Sequence, residues 1–357
     1  MFDAWSISIF VGFDFHNVDA LRLKCRKELL TLLFRKLLIL RIYSILFDGI
    51  KKLPAEHVEM EKELLLSWMA ESQILEKANV RLNDAAIQVS EWFRKKGFRT
   101  CILKGQGNAL MYPNPYSRTP GDIDIWVEGE DKRVISFVRS ISPHEKACYH
   151  HIEFPSYKGV EVEVHYRPSF LLCFWHNRKL QKYYERVKEE QFSHRVMLGE
   201  QGEIAIPTVE FNLIFQLTHI YAHLMNEGIG LRQLVDYYYV LISDDLLLIR
   251  DRVQKELKEL GLWKFAGAIM YIMQEVFGMP ASRLIVPPNE KYGRFVLNEV
   301  LEAGNFGKHD ARNRFGRSKL GHNLQRVYRD MRLVRYFPAE ALSEPIFRIW
   351  HFFWRLR

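Results

Sequence analysis

Apolar residues recur at helical spacing in two long stretches near the start of the chain. Residues 21–47 place leucines between basic residues, and residues 56–96 carry Leu64, Trp68 and further apolar positions one or two turns apart. This periodicity predicts two amphipathic helices. Gly97 follows the second stretch and is a residue type that commonly ends helices.

Beyond Gly97 the pattern changes to short alternating segments separated by turns. Alternation predicts strands over four segments, 98–103, 121–127, 150–154 and 160–166, with a helix at 132–141. A further helix and a strand at 195–198 follow. The pattern then becomes helical, over 209–226, 231–242, 245–260 and 262–277.

The order of these segments predicts an α+β protein with three parts. They are an N-terminal helical extension over 1–55, a core with a small mixed sheet over 56–205, and a helical C-terminal domain over 206–357. Within the last part, residues 304–321 are rich in Gly and Arg and predict a flexible basic loop.

Two aspartates stand two positions apart in the segment Gly121-Asp122-Ile123-Asp124-Ile125. On a strand they share one face. Strands disfavour Asp, and neighbouring carboxylates repel each other. A bound cation offsets this repulsion, and Mg²⁺ is held in proteins by carboxylates together with substrate phosphates. The pair therefore predicts metal-assisted chemistry on a nucleotide.

Residues on either side support this interpretation. Upstream, Lys104 and Gly105 lie in a turn between a predicted strand and a predicted helix start, where backbone N–H groups can face phosphates. Arg118 precedes the aspartates and can neutralise phosphate charge. Downstream, Glu161 and Glu163 share a strand face with His165, so either glutamate can supply a third carboxylate.

The sequence resembles a known family at these residues. The order Leu103-Lys104-Gly105, Tyr112-Pro113, Arg118, Gly121-Asp122-Ile123-Asp124 and Glu163-Val164-His165-Tyr166 is similar to the uncharacterised nucleotidyltransferase family of Bacteroides-type bacteria. That family belongs to the DNA polymerase beta-like nucleotidyltransferase superfamily. The resemblance covers roughly residues 60 to 240.

The resemblance implies a polymerase-beta-like core with flanking helices, followed by a helical C-terminal domain. It implies transfer of a nucleotidyl group from a nucleoside triphosphate, with ATP expected, to an acceptor hydroxyl, assisted by Mg²⁺ or Mn²⁺. Asp122, Asp124 and Glu163 are the implied metal ligands and catalytic residues, and Glu163 is preferred to Glu161 because it stands two positions before His165. The implied nucleotide-binding residues are Lys104, Gly105, Gln106, Arg118 and His165.

Composition, charge and cysteine spacing indicate the class of protein, the kind of partner and the cellular compartment. The chain has 357 residues, 48% of them hydrophobic, which excludes a disordered protein, and its net charge of +8 favours anionic partners. Four cysteines without C-x-x-C spacing predict free thiols in a reducing compartment: Cys25, Cys101, Cys148 and Cys173. Since neither a long apolar run nor a signal sequence stands out, a cytoplasmic protein without a transmembrane segment is expected.

The sequence leaves open two alternatives to an active nucleotidyltransferase. Gln106 is bulkier than the Ser or Gly of the superfamily turn, which favours a nucleotide-binding partner protein that has lost catalysis. The basic segments 21–42 and 308–319, with the aromatic tail 345–357, favour a protein that contacts membrane surfaces or nucleic acid.

Two pairs of polar residues lie further along the chain. His219 and His223 are spaced to share a helix face, where they line a cleft or simply pack. Arg232 and Asp236 have the same spacing and predict an ion pair within one helix.

Overall fold

The computed structural model describes residues 42–52, 60–200, 202–303, 312 and 319–355. The first part contains these elements: α1 (Tyr43–Lys51), α2 (Lys62–Lys95), β1 (Thr100–Ile102), α3 (Gln106–Ala109), β2 (Ile123–Val127), α4 (Asp131–Ile141), β3 (His151–Tyr157), β4 (Val160–His165), α5 (Phe174–Ser193), β5 (Arg195–Leu198) and β6 (Gly202–Ala205). Seven helices follow: α6 (Val209–Asn226), α7 (Leu231–Leu241), α8 (Leu246–Glu259), α9 (Trp263–Phe277), α10 (Glu290–Ala303), α11 (Lys319–Leu333) and α12 (Pro338–Trp354).

The main sheet has four strands in the order β1-β2-β4-β3. The central pair β2 and β4 is parallel, and both outer pairs are antiparallel. The predicted α+β class with a small mixed sheet is therefore confirmed. Parallel strands need a crossover connection, and α4 with β3 provides the one between β2 and β4. The two-stranded hairpin of β5 and β6 forms a second small sheet.

The long helix α2 supports one face of the main sheet. Its buried apolar side chains, among them Leu82, Val89 and Phe93, join a core with the inward residues of β2 such as Ile123 and Ile125. The predicted stop at Gly97 agrees with the structure, since Gly97 has a φ of +82°, a conformation that glycine adopts without strain. Amphipathic periodicity thus identified a helix that packs against one face of the main sheet.

The opposite face of β2 points toward the C-terminal helices. Trp126 alternates with the inward residues and stacks on Phe211 of α6, with ring centroids 5.8 Å apart. Asp124 lies on the same face, two positions earlier. The strand is therefore apolar toward α2 and carries both an aromatic anchor and a carboxylate toward the helical part.

The last helix, α12, returns to the first part of the chain. Glu340 is 3% exposed, and its Oε2 accepts hydrogen bonds from the backbone N–H groups of Leu172 (2.6 Å) and Cys173 (3.0 Å). Phe347 stacks on Phe170 at 5.1 Å between ring centroids. Carboxylates near a helix start are favourable partners for its N–H groups, so Glu340 joins α12 to the beginning of α5.

The segment ends agree with the predicted pattern in some places and not in others. The helix predicted over 209–226 is found with those bounds, whereas the loop predicted over 304–321 is wrong for 319–321, which begin α11. The predicted helix over 21–47 lies outside the described residues except for its last part, and the segment 308–318 lies outside them except for Arg312. The proposed domain boundaries stay predictions.

Among the helices that the structure describes, none has the length and hydropathy required to cross a bilayer. The aromatic residues near the C-terminus belong to α12, whose outer face exposes Ile346, Ile349 and Phe353.

The pair Asp330–Glu344 predicts a pH-dependent contribution to stability. Burial raises the pKa of Asp330, and the Glu344 carboxyl raises it further, to about 7 from an ordinary 3.8. Between these values the unfolded chain loses the proton and the folded chain keeps it, so this contribution is lost as the pH rises from 4 to 7. We expect Asp330→Asn to raise Tm relative to wild type at pH 8 by about 2 °C, and much less at pH 5.

Thermal melts at several pH values test this expectation. Asp251→Asn, at an exposed position of α8, is the matched control. A difference between Asp330→Asn and wild type that does not grow with pH would contradict the raised pKa.

Candidate functional site

Three carboxylates converge where the parallel strands begin. Asp124 and Glu163 are directly opposite each other in the register of β2 and β4, and Asp122 lies just before β2. One carboxylate oxygen from each of the three lies within 4.8 Å of the others. The pairing register, which sequence alone does not give, therefore brings the predicted acidic residues together.

Two cations accompany these carboxylates. Lys104 Nζ lies 3.1 Å from Asp124 Oδ2. His165 Nε2 lies 3.0 Å from Asp124 Oδ1 and 3.4 Å from Glu163 Oε2. Since Asp124 is almost fully buried, these contacts compensate a carboxylate that has lost its water.

The pKa values follow from these contacts. Burial lowers the pKa of His165, but its hydrogen bonds to Asp124 and Glu163 outweigh burial and raise it to about 9. Burial raises the pKa of Glu163, but the hydrogen bond and charge of His165, together with other nearby cations, lower it to about 2. Burial also raises the pKa of Asp124, and Lys104 and His165 reverse this. These contacts favour the carboxylate forms of Asp124 and Glu163 and the protonated form of His165 at neutral pH.

The two glutamates of β4 differ in position. The carboxylate of Glu163 joins the cluster with Asp122 and Asp124, whereas Glu161 is exposed. The preference for Glu163 as the third carboxylate is therefore the one that the geometry supports, although its chemical role stays a prediction.

The turn after β1 has the conformation expected of a Gly-containing turn. Gly105 has a φ of +62°, where other residues are strained, and it precedes α3. The side chain of Gln106 is 2% exposed, and its Nε2 donates a hydrogen bond to Asn83 Oδ1 of α2. Gln106 thus faces the core, whereas Lys104 and Asn108 line the cleft described below. The bulk of the Gln106 side chain is therefore directed away from the cleft.

Arg118 is engaged by a carboxylate of the helical part. Its Nε and Nη2 atoms donate to the two oxygens of Asp236 on α7, both at 2.8 Å, and Tyr112 Oη donates to Asp236 Oδ1 at 2.5 Å. Asp236 thus has a partner from outside its own helix, which the predicted pair with Arg232 did not include. Arg232 Nη1 lies 3.4 Å from the carbonyl oxygen of Pro120, next to Gly121, so it also faces the aspartate segment.

A cleft of about 610 Å³ separates the strand face from helices α6, α7, α11 and α12. Six histidines line it: His150, His151, His165, His219, His223 and His351. Burial, with a smaller effect of neighbouring charges, lowers the pKa of His150 and His219 well below the ordinary value. His219 and His223 were expected either to line a cleft or simply to pack, and both line the cleft. Sequence reasoning missed His150 and His151, although the adjacent pair at the start of a strand was a visible signal.

A scan against family models matches residues 32–278 to a family described as an uncharacterised nucleotidyltransferase. The chain belongs to this family. The predicted resemblance is thereby confirmed, and the match extends beyond the expected 60–240 at both ends. No curated protein matches the sequence significantly.

The position of Gln106 predicts separate effects on stability and on nucleotide binding. Gln106→Ser removes the hydrogen bond to buried Asn83 and should destabilise the fold by about 1–3 kcal/mol. Nucleotide affinity should stay unchanged, because the side chain does not face the cleft. Urea unfolding and nucleotide titration measure the two effects, with Gln106→Met as a control that keeps the bulk. A clear gain of affinity in Gln106→Ser would contradict the observed orientation.

The ion pair of Arg118 and Asp236 predicts that substitutions of the two residues have strongly coupled effects on the free energy of unfolding. Asp236→Asn leaves a buried guanidinium without its charge partner, which should cost about 3–5 kcal/mol, and Arg118→Met/Asp236→Leu should recover much of this loss. Denaturation midpoints of the single and double variants measure both the loss of stability and its recovery. Arg195→Met, which removes an exposed pair with Glu203, should barely change the midpoint. A double variant as unstable as Asp236→Asn would count against the pair.

Proposed function

We propose that this protein is a metal-dependent nucleotidyltransferase that moves a nucleoside monophosphate group from a nucleoside triphosphate to an acceptor hydroxyl and releases pyrophosphate. The observation that carries the proposal is the register of Asp124 opposite Glu163, with Asp122 beside them in a cleft next to a glycine turn. Family membership supports the reaction class. ATP is the proposed donor, by analogy with the superfamily.

The donor atoms at the cluster fit a hard divalent cation. Asp122, Asp124 and Glu163 offer only carboxylate oxygens, which suit Mg²⁺ and Mn²⁺. We propose that these residues hold Mg²⁺ or Mn²⁺, which when bound supplies charge for the triphosphate and lowers the pKa of a hydroxyl next to it.

The remaining groups position the substrate. Lys104 lies 3.1 Å from Asp124 and can exchange this contact for a phosphate oxygen, while the backbone of the turn at Gly105 faces the phosphates. Arg118 and Arg232 add positive charge at the aspartate segment. In phosphoryl-type transfer such positioning and charge neutralisation provide most of the catalysis.

The position of Glu163 supports a role in metal binding. Its carboxylate lies with those of Asp122 and Asp124, and Glu163 is directly opposite Asp124 in the register of β2 and β4. Because several carboxylate oxygens around one point suit a hard divalent cation, we assign Glu163 to metal binding.

The acceptor faces the helical wall of the cleft. Gln216 and His219 of α6, with Phe347 and Arg348 of α12, line this side. These side chains combine hydrogen-bonding, aromatic and cationic groups, which suits a polar acceptor carrying a hydroxyl. We place the reaction in the cytoplasm, where the free thiols of Cys101, Cys148 and Cys173 persist.

A second candidate function rests on α12. Its outer face exposes Ile346, Ile349 and Phe353, and the chain carries a net charge of +8. Such a face next to basic residues favours contact with an anionic membrane surface. Salt-sensitive vesicle binding that persists in Asp122→Asn would favour this role.

The proposed function is tested by titrating ATP, GTP, CTP and UTP with and without Mg²⁺ or Mn²⁺, using calorimetry and thermal shift. We expect metal-dependent stabilisation by a triphosphate in the wild type and its loss in Asp122→Asn/Asp124→Asn. A ligand at 100 times its Kd stabilises by about 2.7 kcal/mol.

Glu163→Gln and Glu161→Gln form a matched pair for the same titration. The first should abolish metal-dependent stabilisation, and the second, on the same strand but exposed, should behave like the wild type. Equal behaviour of the two variants, or no response of folded wild type to any triphosphate, would refute the proposed site.

A further inference from the structure

Two histidines extend the carboxylate cluster toward the edge of the sheet. His151 of β3 is directly opposite His165 of β4 in the antiparallel register, and Glu163 lies two positions before His165 on the same face. A ligand atom from each of His151, Glu163 and His165 lies within 4.8 Å of the others. This set shares only Glu163 with the all-oxygen set.

The orientation of His165 is that of a metal ligand with an outer partner. Its Nδ1 lies 3.3 Å from the carbonyl oxygen of Arg167, and its Nε2 points toward Asp124 and Glu163. Metal-ligating histidines commonly donate their second N–H to a backbone carbonyl, which sets the tautomer. The Nε2–H group occupies the place that an ion would take, and binding would release its proton.

His151 has a similar arrangement. Its Nδ1 lies 3.7 Å from Glu163 Oε2, and its Nε2 lies 3.8 Å from Glu153 Oε1, so the ring stands between two carboxylates. Its Nδ1 also contacts His150 Nε2 at 3.0 Å, a contact that would be exchanged for an ion. His151 is 15% exposed along its side chain, which leaves the ring reachable from the cleft.

We infer that His151, Glu163 and His165 form a second cation site, which adjoins the carboxylate cluster and takes a divalent transition-metal ion in preference to Mg²⁺. Imidazole nitrogens suit first-row transition metals, whereas Mg²⁺ selects oxygen ligands. Glu163 would then serve both positions. The inference goes beyond the proposed nucleotidyl transfer, because binding of an ion by these side chains needs no nucleotide.

Mn²⁺ alone is the probe for the test, without nucleotide. Pulsed EPR of the Mn²⁺-loaded wild type should show nitrogen-14 couplings from histidine, and His151→Ala should reduce them. Mn²⁺ Kd should rise in His151→Ala by tenfold or more, since loss of even an outer-shell partner costs about 10–100-fold in affinity. Mg²⁺ affinity should change much less, so the preference for Mn²⁺ over Mg²⁺ should shrink.

His144→Ala is the matched control, because His144 is exposed in the loop before β3 and should leave the spectrum and both affinities unchanged. Melting curves establish that His151→Ala is folded. Wild-type Mn²⁺ without nitrogen couplings, or couplings and Kd unchanged in His151→Ala, would overturn the second site. Such a result would leave the all-oxygen cluster and the nucleotide titration untouched, so the two proposals fail separately.

Discussion

The repulsion between Asp124 and Glu163 is the constraint on which the site depends. Parallel pairing of β2 and β4 places the two carboxylates opposite each other, largely shielded from water, where like charges interact strongly. The protein surrounds them with Lys104 and protonated His165. With Asp122 the site brings together three carboxyl groups, more than these two cations can pair with, which makes it receptive to a further cation.

The same principle joins the two halves of the chain. Arg118, in the segment before β2, is bound by both oxygens of Asp236 from α7. These contacts offset the cost of burying the two charges, because each charge has a partner and Asp236 accepts a further hydrogen bond from Tyr112. An arginine first considered for phosphate binding thus also holds the helical wall of the cleft against the strand that carries the aspartates.

Sequence reasoning succeeded where the information is local. Apolar periodicity gave α2 and α6, alternation gave β2 and β4, and the motif around Asp122 and Asp124 led to the family. It did not find partners that are distant in sequence. Spacing on one helix suggested Arg232 as a partner of Asp236, but it did not indicate Arg118, which lies more than a hundred residues away and binds both carboxylate oxygens.

The orientation of a side chain is likewise set by packing and not by motif. Gln106 is bulkier than the Ser or Gly of the superfamily turn, yet its amide reaches Asn83 on α2, because α2 passes beneath the turn. The histidines His150 and His151 become part of the cleft only through the register of β3 with β4. No local pattern contains that register.

The contacts of Asp236 and Glu340 bear on how fast the cleft can change shape. Each is a buried carboxylate that links a late helix to an early segment, through Arg118 in one case and through backbone N–H groups at the start of α5 in the other. Swinging the walls apart as rigid bodies would unpair both at once. Opening the cleft by a rigid-body motion of its walls therefore carries the cost of unpairing buried carboxylates, a cost that rotamer changes of the lining side chains do not carry.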